Sequence, residues 1–184
     1  MENIKWQSQK VHGRDKVLLD IEQRYGSEIV VQDVREVMHD YEVDMYRLVL
    51  SIGKRYGMDT AYQIMSDTVA EKRLMWQDQA NLDLQGTDIE KGLELYLKYF
   101  RPKEEDFKII EQAKDRVVFK RKDFVDAIYY ACNVLDLDVI EVNNKVYAQA
   151  MNLMYAKINP SLKHLFLKYE DGWYKEKIEI NPES

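Results

Sequence analysis

Pro102 divides this chain into two stretches with different hydrophobic rhythms. Up to Phe100, apolar residues recur three and four apart, the spacing that lines one face of a helix. Beyond Pro102, short β-prone runs alternate with further helical ones. Such a pattern predicts an α+β fold, mainly helical, with two β-hairpins forming a small antiparallel sheet, because an isolated two-stranded ribbon is only marginally stable in water. The 184 residues fit a single domain, with residues 1–101 as its helical half and residues 102–184 as a hairpin-helix-helix-hairpin half.

Capping residues punctuate the helical half. Val17, Leu18 and Ile21 open an apolar face that runs to Tyr25, and Gly26 followed by Ser27 reads as one helix end and the N-cap of the next. A long helix then spans Ile29 to Tyr56 with Val34, Met38, Tyr41, Met45, Leu48 and Ile52 as its packing stripe, and Gly57 stops it. Asp59 is placed to cap a third helix with the stripe Tyr62, Met65, Val69 and Trp76. Thr87 with Glu90 forms a capping box that opens a helix to Phe100.

In the second half, Phe107–Ile110 and Val117–Phe119 flank a charged turn at Lys114 and Asp115. Asp123 is placed to cap a helix holding Phe124, Ile128, Cys132 and Leu135, and Asp138 with Glu141 a helix to Lys157 that ends at Asn159 and Pro160. Leu162–Tyr169 and Trp173–Ile180 then enclose Asp171-Gly172, a pair suited to a tight hairpin turn.

Composition excludes several functions. No apolar run approaches the roughly 20 residues that cross a bilayer, and residues 1–10 carry no secretory pattern, which points to a cytoplasmic protein. A lone cysteine, Cys132, excludes an internal disulfide and fits a reducing compartment. The net charge of −6 argues against nucleic acid, whose phosphates call for clustered Lys and Arg. Phosphate-binding glycine loops, a nucleophile elbow and zinc-protease motifs are missing from the sequence, so no cofactor is assigned.

Thirteen Tyr, eight Met and three Trp are unusual, and such side chains either fill a core or line a ligand hollow. Glu36 and His39 stand three apart, as metal ligands do in di-iron bundles, but no second Glu-x-x-His helix completes a site, and the pair reads as a solvated helix edge with no metal. Cys132 lacks an activating partner nearby in sequence and reads as a buried thiol or a pocket wall. His12, His39 and His164 are the histidines able to titrate near neutrality, with Asp40, Glu42, Asp44 and Glu71 as carboxylate alternatives.

Arg116 to Phe119, Asp123 to Cys132, Tyr147 to Ile180, the run Ile158-Asn159-Pro160-Ser161-Leu162 and the later Asp171-Gly172-Trp173 together resemble the L-2-amino-thiazoline-4-carboxylic acid hydrolase-like family. The resemblance implies a pocket for a small heterocyclic or carboxylate substrate and hydrolysis at a carbon–nitrogen bond. On that basis His39, Glu42 or Glu71 would activate water, and Tyr46, Trp76, Tyr129, Cys132 and Asn133 would line a hollow between helices and sheet. A non-catalytic binder or an assembly factor of the same fold stays open beside the enzyme. The long amphipathic helix also allows a homo-oligomer.

Overall fold

The computed structural model describes residues 27–123 and 125–181, with side chains from Arg35 onward. The expected first helix, Gly26 and His12 lie outside the described residues. Helix α1 (Ser27–Tyr56) starts two residues before the expected Ile29, and α2 (Met58–Gln79) follows after one residue. That residue is Gly57, whose φ of 92° is a left-handed conformation that side chains disfavour. Its N–H donates to the Gly53 carbonyl at 2.8 Å and closes α1.

The buried face of α1 is Val43, Tyr46, Val49 and Gly53, with Met38, Met45 and Ile52 at its border. Two members of the expected stripe, Tyr41 and Leu48, are each 62% exposed. The helix carries apolar residues on two faces, and spacing alone does not say which one meets the rest of the chain. Asp59 also departs from its expected role. Gly57 is the cap of α2, while Asp59 sits in its first turn and accepts from Lys145 Nζ at 2.8 Å. Tyr62 and Met65 are buried as expected, with Val69 and Trp76 half-buried.

Helix α3 (Asp88–Phe100) opens on the predicted capping box, in which the Thr87 side chain accepts from Glu90 N–H and the Glu90 carboxylate from Thr87 N–H. It ends at Arg101 in a left-handed cap ahead of Pro102. Strands β1 (Phe107–Gln112) and β2 (Arg116–Arg121) form the first hairpin, and β3 (Leu162–Glu170) and β4 (Trp173–Ile180) the second. Asp171 and Gly172 both have positive φ, as the short turn requires. The hairpins join through β2 and β4 into one antiparallel sheet ordered β1-β2-β4-β3.

Between the hairpins lie α4 (Ala127–Val134) and α5, which runs through residues 139–156. Asp123 does not cap α4 directly. It organises the preceding turn by accepting from the N–H groups of Val125 and Asp126, and Asp126 in a left-handed conformation is the cap residue. Asp138 caps α5 through the N–H groups of Ile140 and Glu141. The middle of α5, Asn143–Ala148, is π-helical, and donors from α2 serve two of its carbonyls: Ser66 Oγ that of Val146 and Arg73 Nη1 that of Tyr147.

Two apolar clusters result. One joins α3, α5 and the inner face of the sheet through Tyr96, Phe119, Met151, Met154, Tyr155, Leu162 and Ile178. The other joins α1, α2, α4 and α5 through Val43, Tyr46, Tyr62, Met65, Cys132 and Val146. The outer edge of β3 is covered by side chains of α5. Asn152 Oδ1 accepts from His164 N–H, and the Asn144 amide exchanges two hydrogen bonds with the backbone of Phe166. The other edge strand, β1, is interrupted by a register shift between Ile109 and Glu111.

A candidate functional site at the entrance to α4

A cleft of about 330 Å3 opens between the stretch of α1 that carries Arg35 and His39 and the turn that enters α4. Arg35 and His39 line it from α1, Asp123, Val125 and Asp126 from the turn, and Tyr129 and Tyr130 from α4. His39 Nε2 lies 2.9 Å from the Val125 carbonyl. Because a carbonyl only accepts, Nε2 carries a proton and donates it to Val125. The imidazole stacks on Tyr130 with centroids 4.1 Å apart and planes within 9°.

Asp126 is the centre of the cleft. Its φ of 52° is a left-handed conformation, which aspartate adopts more readily than most residues with a side chain, and it turns the chain into α4. The carboxylate accepts from the hydroxyls of Tyr169 and Tyr174, and Tyr129 stacks on Tyr169 with centroids 4.1 Å apart. Burial pushes the Asp126 carboxyl above its ordinary range, outweighing the two tyrosine hydrogen bonds, and Asp123 adds to the rise. A carboxyl raised in this way exchanges protons nearer to neutral pH.

A buried polar row runs inward from the cleft. Asp123 Oδ2 accepts from Arg121 Nη1 at 3.4 Å, and Arg121 Nε donates to Glu176 Oε1 at 2.9 Å. Tyr96 OH and His164 Nε2 both reach Glu176 Oε2 at 2.8 Å. Burial drives the Glu176 carboxyl up, but Arg121, His164 and Tyr96 together hold it below the usual carboxylate range. Burial also lowers His164, so its imidazole is neutral, donates from Nε2 and leaves Nδ1 without a hydrogen-bond partner.

The sign of the pH effect follows from those two shifts. Below about pH 6.5 the unfolded chain protonates His164 while the folded one resists, so stability falls with the pH. Glu176 adds a second loss below about pH 4.3, where the unfolded carboxylate protonates first. His164→Gln, which keeps a donor for Glu176, is expected to flatten the dependence of the urea midpoint between about pH 7.5 and 5.5. An unchanged slope in that variant would show that His164 is not held neutral.

The structure brings His39 and Tyr129 together in the cleft. Tyr46 and Cys132 lie in the buried cluster behind it, where Tyr46 OH donates to Tyr147 OH at 3.1 Å and half-buried Glu42 contributes negative charge. The Cys132 thiol is pushed up to about 12, first by burial and then by Asp138 and Glu42, and is inert at neutral pH. Trp76 packs edge-on against Tyr99, while Glu71 and Asn133 are exposed elsewhere. Where the helices meet the sheet, the place expected for that hollow, Tyr96, Tyr155, Met151 and Met154 are fully buried core. Among the described residues no three His, Cys, Asp or Glu side chains gather to hold a metal ion.

Sequence reasoning passed over Asp126, Tyr169, Tyr174, Arg121 and Glu176. Alternation was the available signal. Arg121 is in phase with buried Val117 and Phe119, Glu176 with buried Tyr174 and Ile178, and His164 with buried Leu162 and Phe166. Three polar residues on the apolar phase of three paired strands mark a buried network in the sequence itself.

Compared with family models, curated proteins and solved structures, the chain gives no match. No helix among the described residues is long and apolar enough to cross a membrane.

Proposed function

We propose that the chain is a cytoplasmic small-molecule-binding protein whose ligand occupies the cleft at the entrance to α4, and that it hydrolyses a carbon–nitrogen bond of a small heterocyclic or carboxylate compound, as the family resemblance implies. One observation carries this reading: Asp126, whose carboxyl burial pushes up, a tethered imidazole and flat tyrosine faces converge on a single cleft. The stacked rings of Tyr129 and Tyr130 offer faces to a planar ligand. The His39 imidazole takes a proton from a water as its oxygen bonds the carbon, and the carbon–nitrogen bond breaks as the protonated form of Asp126 gives its proton to the departing nitrogen.

The buried row behind the cleft supports the same reading. Arg121, fixed by Glu176, holds Asp123, and Asp123 accepts the two N–H groups that set the turn into α4. These are positioning residues. A thermal-shift screen of small carboxylates, thiazolines and metal ions, followed by a turnover assay on each hit, tests the proposal. Asp126→Asn and Tyr129→Ala should weaken binding of a true ligand by at least about tenfold, and exposed Glu71→Gln should not. A hit insensitive to both cleft variants places the ligand elsewhere and removes the proposal. Binding without turnover leaves the non-catalytic binder, and no hit at all favours an assembly role.

A further inference from the structure

We infer that the outer face of α1 is a docking surface for a second copy of this chain, with the two α1 helices antiparallel. Val37 is 67% exposed and Tyr41 and Leu48 are each 62% exposed. Their spacing of four and seven residues sets all three on one stripe of the helix, roughly opposite the buried face of Val43, Tyr46 and Val49. Scattered apolar residues on a surface need no explanation, but a linear stripe with half-buried Met45 and Ile52 along its border is the seam of a helix pair.

Charge selects the partner and its direction. The exposed charges beside the first part of the stripe are Glu36, Asp40 and Asp44, and those beside the later part are Arg47, Lys54 and Arg55. A second α1 in the parallel direction would lay acid on acid and base on base. In the antiparallel direction the acidic half of each helix meets the basic half of the other, which a twofold axis satisfies twice. With the axis near residues 44–45, Tyr41 meets Leu48 of the second copy, Val37 meets its Ile52, and Asp40 falls beside its Arg47. Asp44 and Arg47 already pair within the helix at 3.1 Å, fully on the surface, and the second copy adds to that pair. The stripe points away from Arg35 and His39, so assembly leaves the cleft open.

Sedimentation equilibrium of the full chain tests the inference. The chain should be a dimer at tens of micromolar, and Leu48→Lys should weaken it at least about 100-fold because twofold symmetry removes two apolar contacts. Asp40→Arg and Arg47→Asp should each weaken it about tenfold by opposing like charges, and the double exchange D40R/R47D should restore it. Circular dichroism of each variant checks that the fold is intact. A wild-type chain that stays monomeric at several hundred micromolar overturns the inference, whether the stripe is bare or is covered by residues 1–26 with their Val17, Leu18 and Ile21. A dimer indifferent to Leu48→Lys, or one that the double exchange leaves weakened, overturns it as well.

Discussion

Glu176→Gln is expected to cost the folded chain about 3–5 kcal/mol, read as a lower urea midpoint at an unchanged m-value. Glu176 is fully buried, and its two oxygens take hydrogen bonds from Arg121, Tyr96 and His164. Once it is neutral, the Arg121 guanidinium is left in the interior with half-exposed Asp123 at 3.4 Å, and Asp126 without a direct bond to it, to oppose its charge. The penalty belongs to the stranded cation more than to the lost pair, so Arg121→Met combined with Glu176→Leu should recover part of it. A loss below about 1 kcal/mol in the single variant would mean that the carboxylate does not carry the charge of Arg121. The same variant bears on the cleft, because Arg121 holds Asp123 and Asp123 holds the turn at Asp126.

Arg73→Met should lower stability by about 2–4 kcal/mol. Arg73 is buried, its Nη1 donates to the Tyr147 carbonyl at 2.7 Å, and its guanidinium lies over the rings of Tyr99, Phe100 and Tyr147 at 5.3, 5.5 and 5.6 Å. Two effects oppose each other. Removing the charge returns the free energy spent on taking it out of water, but orphans a buried carbonyl, which costs about 1–3 kcal/mol, and empties the space between three ring faces. Guanidinium is the more weakly hydrated of the two basic side-chain cations, so the losses outweigh the gain. Arg73→Lys should do no better than the methionine variant, because an ammonium cannot present a flat face to the rings. A midpoint higher than wild type in Arg73→Met would reverse that ranking.

Where one residue dictates one local geometry, the sequence was a sufficient guide. Thr87 and Glu90 close the capping box, and Asp171-Gly172 closes a turn that needs two positive φ values. The strands and their joining into one sheet follow from alternation and from the instability of lone hairpins. What escaped has a different origin. The register of α1 depends on which of two apolar faces finds a partner, a tertiary choice that spacing does not encode. Asp123 supplies an oxygen to N–H groups as expected, but three residues early, because the chain first turns through Asp126. The π-helical stretch in α5 answers donors on α2, Ser66 and Arg73, that lie some eighty residues away in the chain. The cleft combines both kinds of information: His39 and Tyr129 stand out as residue types, whereas Asp126 stands out only once Tyr169 and Tyr174 are folded over it.

The cover that Asn144 and Asn152 place on β3 also orders events in time. The helix carrying those two amides precedes β3 in the chain, so a ribosome releases the guard before the strand it guards. A newly made hairpin therefore meets its own α5 first, and a neighbouring molecule seeking to add a strand there arrives at bonds already taken.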